Sequence, residues 1–180
     1  MTDWNRLHTD SPLGRMTLAA SELGLCGVWF DGQRHGPSLE QIERWTHAPD
    51  HPLLLQAAEQ LQAYFAGQRQ SFDLPLDLSH GTAFQQSVWQ ALLQVGCGQH
   101  QSYGDLARQL NKAKAVRAVG AAVGRNPLSI FLPCHRVLAS NGALTGYAGG
   151  LDRKVALLQA VFNARNVQQL QRAAMDQQPR

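Results

Sequence analysis

The sequence predicts an α+β protein in two parts: a small sheet-and-helix unit over residues 1–79 and a mostly helical unit over 80–163, followed by a tail over 164–180. Three observations carry this. Met16 to Ala20 and Leu25 to Phe30 are β-prone runs flanking Ser21-Glu22-Leu23-Gly24, the pattern of a hairpin. Beyond Ser79-His80-Gly81 the texture changes to short capped segments with helical periodicity. The charge changes with it: residues 1–80 carry 5 Lys+Arg against 10 Asp+Glu, a balance of −5, and residues 81–180 carry 11 against 3, a balance of +8. Only the second part suits a polyanion.

In the first part Asp31-Gly32 makes a turn after the hairpin. Leu54, Ala58, Leu61 and Phe65 fall at helical spacing behind Pro52, which suits a first turn, and Gly67 suits the C-terminal cap. Phe72, Leu74, Leu76 and Leu78 alternate around Pro75, so this stretch is expected as an edge strand or extended linker. His8, His35, His47 and His51 read as surface residues.

In the second part Thr82 and Gln85 have capping-box spacing ahead of Phe84, Val88, Ala91, Leu92 and Val95, with Gly96 as the stop. Ser102 and Asp105 repeat the pattern ahead of Tyr103, Leu106, Ala107 and Leu110. After Asn111-Lys112-Ala113, Val116, Val119 and Val123 lead to Gly124. Two short helices with a tight turn in a basic region suggest a helix-turn-helix. The second helix presents Ala115, Arg117, Ala118, Ala121 and Ala122, with few of the long donors that read a major groove. Small side chains admit the close approach a minor groove demands, and Arg117 can reach into groove or stack. Ser140-Asn141-Gly142 signals a turn, Thr145 to Gly150 a flexible loop, and Asp152 the cap of a last helix with Val155, Leu158, Val161 and Phe162 inward. From Ala164 the chain is rich in glutamine and arginine, and disorder is expected.

The densest chemistry lies at Asn126 to Arg136. Ile130-Phe131-Leu132 reads as a buried strand-like run held extended between Pro127 and Pro133, delivering Cys134 to a fixed point beside His135 and Arg136. A lone cysteine is commonly a small buried hydrophobe. Here a nucleophile is the better reading, because a thiolate needs a neighbouring base or cation and both follow in sequence. Metal binding fits poorly: adjacent Cys134 and His135 cannot easily clasp one ion, and neither Cys26 nor Cys97 supplies a Cys-x-x-Cys partner.

At 180 residues, 44% hydrophobic and 16% charged, the composition is globular. No run reaches the length of a membrane span, and the N-terminal segment, with Asp3 and Asp10, lacks the apolar stretch of a signal peptide. A cytoplasmic location is expected, where three scattered cysteines stay reduced.

Pro133-Cys134-His135-Arg136-Val137, preceded by Arg125-Asn126-Pro127, with Arg117-Ala118-Val119-Gly120 upstream and Gly146-Tyr147-Ala148-Gly149-Gly150 downstream, resembles the O6-alkylguanine-DNA alkyltransferases, also called methylated-DNA-protein-cysteine methyltransferases. Ser11-Pro12-Leu13-Gly14 and Val28 to Gly32 resemble the N-terminal domain of the bacterial members more loosely. The resemblance implies a ribonuclease-H-like N-terminal α/β domain and a mostly helical C-terminal domain with a winged helix-turn-helix. It implies DNA repair by irreversible transfer of an alkyl group from guanine O6 in double-stranded DNA to Cys134, with the protein consumed. His135 would take the thiol proton, Asn126 would brace the turn, and Tyr103 would help turn out the nucleotide and assist the leaving guanine. Arg117 would fill the vacated stack, and Ala118 would lie on the DNA-facing helix. Val137, Tyr147 and Ala148 would line the pocket. Phosphate contacts are expected from Arg108, Lys112, Lys114 and Arg125. Neither metal nor organic cofactor is implied, and a monomer is expected.

One departure stands out. The family usually carries a glutamate 27 residues after the cysteine to orient the histidine; here that residue is Val161. Slower transfer is therefore expected, since His135 lacks a carboxylate to hold its tautomer and cation. A non-catalytic sensor of O6-alkylguanine is the alternative, which Cys134 argues against. A cysteine hydrolase would explain neither the basic helix-turn-helix nor Arg117.

Overall fold

The computed structural model describes residues 3–159. Val161, Phe162, Asn163 and the expected tail lie outside them. Two compact units result: residues up to His80 together with Pro127–Phe131, and Gly81–Asn126 together with the residues from Leu132 on.

The first unit is built on a sheet of order β3-β2-β1-β4. Strands β1 (Asn5–Thr9), β2 (Met16–Ala20) and β3 (Leu25–Phe30) form an antiparallel meander, and β4 (Thr46–His47) adds parallel to β1. Every residue of β2 and β3 is buried, and all but Thr17 are apolar or small, as a doubly covered strand pair requires. Helix α2 (Pro52–Phe65) buries Leu54, Ala57, Leu61 and Tyr64. A second cluster joins Ala19, Cys26 and Trp29 to Trp4 and Trp45, with Trp29 and Trp45 stacked at 5.7 Å. The hairpin closes through Ser21 N–H to the Gly24 carbonyl at 2.9 Å. A Cβ on Gly24, at φ +156°, would sit 2.6 Å from the Pro75 carbonyl oxygen, so glycine is required by close approach. That approach fixes the alternating stretch as extended chain carrying one bridge, Leu25 to Leu76.

Two features escape the sequence patterns. Ser38 and Gln41 form a full capping box on α1 (Leu39–Arg44), a helix with no buried residue and hence no apolar stripe to announce it. Pro127–Phe131 belongs to the first unit: Val28 N–H donates to the Pro127 carbonyl at 2.8 Å, Ser129 N–H to the Val28 carbonyl at 3.0 Å, and Phe131 packs on Phe72 with ring centroids 4.1 Å apart. The run is buried as expected but is not a plain strand, because Ile130 has φ +75° and turns the chain there. A β-branched residue in that region is strained.

In the second unit α3 (Ala83–Leu92) carries the Thr82–Gln85 capping box and ends four residues before Gly96, in consecutive turns. Helix α4 (Tyr103–Gln109) starts from the Ser102–Asp105 box. Its exit is a Schellman turn: Lys112 N–H donates to the Ala107 carbonyl and Asn111 N–H to the Arg108 carbonyl, with Asn111 left-handed at φ +57°. Asparagine tolerates that conformation better than other side-chain-bearing residues. Helix α5 (Val116–Gly124) follows, buries Val119, Ala122 and Val123, and is tied to α3 by the Trp89 indole N–H donating to the Ala122 carbonyl at 2.9 Å. Strands β5 (Gln101–Ser102) and β6 (Val137–Leu138) pair in parallel. Helix α6 (Leu151–Gln159) begins one residue before Asp152, which therefore lies inside the first turn rather than capping it. Among the described residues no helix is long and apolar enough to cross a membrane.

Candidate active site and nucleic-acid interface

Asn126 stands just past the end of α5 and is buried. Its amide donates to the Leu132 carbonyl at 2.8 Å, closing the excursion of residues 127–131 at its neck. The same carbonyl accepts the Cys134 N–H at 2.7 Å, so the peptide before Cys134 is held twice. Pro133 then leads into a single 3-10 turn, Cys134–Arg136, whose three side chains are all buried. Burial raises the Cys134 pKa. Opposing it are a hydrogen bond from Asn126, the charge of Lys154 and the peptide groups of Cys134 and His135, all of which favour thiolate.

His135 is wholly buried, and neither ring nitrogen has a hydrogen-bond partner among the described residues. Desolvation, with the nearby Arg136 and Lys154 charges, holds its pKa well below the usual histidine value. The ring is therefore neutral in the folded protein. Arg136 donates to the Val95 carbonyl at 2.9 Å and locks the 3-10 turn to the turns that follow α3.

Tyr103 opens α4, where the Ser102 cap fixes its backbone. Its hydroxyl lies 3.5 Å from the Thr145 carbonyl and 3.4 Å from that of Gly146, both long contacts. Burial and the Cys134 charge push the phenol up to about 12, so it remains a proton donor. Its ring also lies under α5, where a Cβ on Gly120 would stand 3.7 Å from it. Tyr103 thus connects the second helix of the helix-turn-helix to the loop that holds Tyr147 and Ala148. Those two are half-buried, and Val137 is fully buried beside the turn.

Arg117, Ala118 and Ala121 are exposed on α5, and Lys114 and Arg125 are exposed at its two ends. Their spacing places them on one face opposite Val119, Ala122 and Val123. The exposed face carries cations at its ends and small side chains between, which admits close approach to a phosphate-lined groove. Arg108 and Lys112 are exposed on the preceding helix and turn.

The sequence reading missed Lys154. It occupies the buried stripe of α6 with Leu157 and Leu158, is fully buried, and donates from Nζ to the Val137 carbonyl at 2.7 Å and the Thr145 carbonyl at 3.1 Å. A lysine in the i, i+3, i+4 stripe of an apolar helix face was the available signal. Val155, expected inward, is half-buried, and Leu158 is buried.

Comparison with known proteins accords with this arrangement. Residues 83–160 match the family model for the 6-O-methylguanine DNA methyltransferase DNA binding domain, and residues 8–78 match that for its ribonuclease-like domain. The methylated-DNA--protein-cysteine methyltransferase of Mycobacterium tuberculosis is 47% identical over 150 residues, covering 83% of this chain and 87% of the relative. The constitutive enzyme of Bacillus subtilis is 45% identical over 149 residues, covering 83% and 89%. The crystal structure of Mycobacterium tuberculosis OGT in complex with DNA superimposes with a TM-score of 0.78 at 44% identity, covering 86% of this chain and 91% of that one. With both halves of the chain matched in order, it belongs to the methylated-DNA-protein-cysteine methyltransferase family.

Proposed function

We propose that the protein repairs DNA by direct, stoichiometric and irreversible transfer of the alkyl group of O6-alkylguanine to Cys134. The observation that carries this is the connection from the α5 face, through Tyr103, to a buried cysteine held by Asn126. A relative, Mycobacterium tuberculosis OGT, is seen in complex with DNA, which supports DNA as partner.

The target oxygen is inaccessible inside the stack, so the damaged nucleotide must be turned out, and a poorly pairing base costs least to extrude. Arg117 takes the vacated position, with Ala118 close against the groove and Lys114 and Arg125 on phosphates. The base enters against Val137, Tyr147 and Ala148. Cys134 loses its proton to His135, which its depressed pKa makes a transient acceptor that passes the proton to water. The thiolate attacks the alkyl carbon in line; the S–C bond forms as the C–O6 bond breaks, and the electron pair passes to the purine. Tyr103, still protonated, donates to the leaving guanine.

Val161 makes the proton transfer harder, because no carboxylate from that position holds the His135 cation. Val161→Glu is expected to accelerate transfer and lower the Cys134 pKa; an unchanged rate with an unchanged pKa rejects this account. The deciding experiment is single-turnover transfer from duplex DNA with radiolabelled O6-methylguanine, for wild type and Cys134→Ser, followed by peptide mapping. Label on the Cys134 peptide, at most one methyl per protein and absent from the variant, is expected. Tight lesion binding with no transfer would assign the protein to the non-catalytic sensors instead.

A further inference from the structure

The first unit holds a cleft that takes no part in the proposed alkyl transfer. On its sheet His8 of β1 is paired with Thr17 of β2, and Thr17 with Trp29 of β3, so the three form one row on one face, with Arg6 two residues from His8 on the same face. Helix α1, which buries none of its own residues, brings Leu39 and Ile42 to the same space. Two cavities result, of about 420 and 550 Å³, and they share Thr17, Asp31, Leu39 and Ile42 as common walls. Arg6, His8 and Arg15 line the first; Trp29 and Pro37 line the second. Clefts of this size suit a small molecule.

The hydrogen bonds of the first cavity run in one direction. An arginine only donates, so the Arg6–His8 contact at 3.2 Å makes Nε2 of His8 the acceptor and puts the ring proton on Nδ1. His8, expected at the surface, is half-buried, and burial with the Arg15 and Arg6 charges lowers its pKa, which agrees with a neutral ring. Nδ1–H then donates to the Thr17 hydroxyl oxygen at 3.0 Å, leaving the Thr17 O–H to donate in turn. Among the described residues nothing accepts it, although Thr17 is buried. Arg6 is half-buried, gives its Nε to the Trp45 carbonyl, and among the described residues has no carboxylate partner. Buried donors and cations are normally paired. Of the two acids lining this cavity, Asp31 is taken by Arg15 at 3.8 Å, and Glu43 is exposed, where water screens it. An open hydroxyl and an unpaired guanidinium call for an anionic acceptor, and the adjoining Trp29 side calls for an apolar body.

We propose that this cleft binds a small carboxylic acid with a compact apolar body, the carboxylate accepting from the Thr17 hydroxyl and the Arg6 guanidinium and the body lying against Trp29, Pro37, Leu39 and Ile42. The site is contained in the first unit and uses none of the residues assigned to alkyl transfer.

The test titrates the 15N-labelled full chain with 3-phenylpropionate, followed by NMR at the Thr17 amide and the Trp29 indole. Both signals should shift and saturate with a dissociation constant of about 1 mM or tighter, while the Trp89 indole, in the second unit, stays in place. Acetate, the head without the body, should bind about 10-fold more weakly or worse. Phenethylamine, the body with a cationic head, should not saturate. Arg6→Gln and Thr17→Val should each weaken 3-phenylpropionate about 10-fold or more, the usual effect of losing a hydrogen bond to a charged group. Thermal unfolding identifies a variant that has not folded; Thr17→Val, which keeps the side-chain shape, decides if Arg6→Gln fails. The proposal is overturned if 3-phenylpropionate produces no saturable shift, if Trp89 shifts as much as Trp29, if acetate or phenethylamine binds equally well, or if a folded variant keeps wild-type affinity.

Discussion

Replacing Asn126 by alanine separates the two tasks its amide performs. The first is structural: Leu132, fully buried, keeps only the Cys134 N–H among the described residues as donor to its carbonyl. Losing one of two donors to a buried acceptor costs about 1–2 kcal/mol, or roughly 2–8 °C in melting temperature for a domain of this size. The second is chemical. The hydrogen bond to the Cys134 side chain favours the thiolate. A hydrogen bond to a charged group is worth about 1.5–3 kcal/mol, so its loss should raise the thiol pKa by about 1–2 units and cut the thiolate fraction about 10- to 100-fold at any pH below it. Iodoacetamide alkylation across pH, quenched and mapped to the Cys134 peptide, measures the second effect; thermal unfolding of the same samples measures the first. Asn126→Asp should fare worse, because a carboxylate beside the sulfur adds repulsion to the lost donor. An alanine variant with an unchanged alkylation midpoint would show that Asn126 acts on the fold alone.

Trp89→Phe removes the indole donor to the buried Ala122 carbonyl and should destabilise the second unit by about 1–3 kcal/mol in urea unfolding; a change under about 0.5 kcal/mol would mean water replaces the bond. His135, neutral and buried, makes stability pH-dependent. Its folded pKa is depressed, so the unfolded chain binds the extra proton, and its contribution is present above about pH 6.5 and lost as pH falls, at up to about 1.4 kcal/mol per unit. His135→Gln should flatten the slope between about pH 6.5 and 5, leaving the smaller effects of His8 and His80, also depressed by burial; an identical slope would refute neutral burial of His135. Arg117→Ala should slow transfer while preserving the salt dependence of binding to undamaged duplex, whereas Lys114→Ala should reduce that salt slope by about one. Equal effects of the two on the salt slope would remove the distinct role of Arg117.

Much of the fold was legible because its signals are local. The hairpin strands, α2 and the Thr82 and Ser102 capping boxes depend on residues within four positions of one another, and each appears in the structure. What stayed hidden depends on distant partners. Strand β1 reads Asn5-Arg6-Leu7-His8-Thr9, too polar to announce itself until β2 pairs with it. The backbone pairing of Val28 with residues 127–129 spans a hundred positions, and no periodicity reports that the chain returns there. Ile130 misled for a related reason: its side chain belongs in a strand, while its backbone obeys the turn imposed from both sides. At the site the candidate nucleophile and its neighbours were visible as a cluster in sequence. Lys154 was not, since twenty residues and a loop separate it from Cys134.

Comparison of Cys134 with Cys26 shows what makes a cysteine into a candidate nucleophile. Both are buried, and burial raises the pKa of each. Cys26 lies in the sheet among Ala19 and Trp29, with the Asp77 carboxylate adding to the rise, and its thiol is pushed up to about 12. Only the peptide groups of Cys26 and Ser21 oppose that rise, and no side-chain donor or cation joins them against the cost of taking a thiolate out of water. Around Cys134 the same cost meets an amide donor, two peptide groups and a lysine, contributed by the end of α5, by the 3-10 turn itself and by α6. Burial is thus common to both, and reactivity depends on what the fold sets against it. It follows that removing Asn126 and Lys154 together should move Cys134 toward the behaviour of Cys26, with a combined shift that departs from the sum of the two separate ones because both act on the same sulfur. Strictly additive shifts in the alkylation midpoint would show instead that each acts through its own carbonyl, Leu132 for one and Val137 for the other.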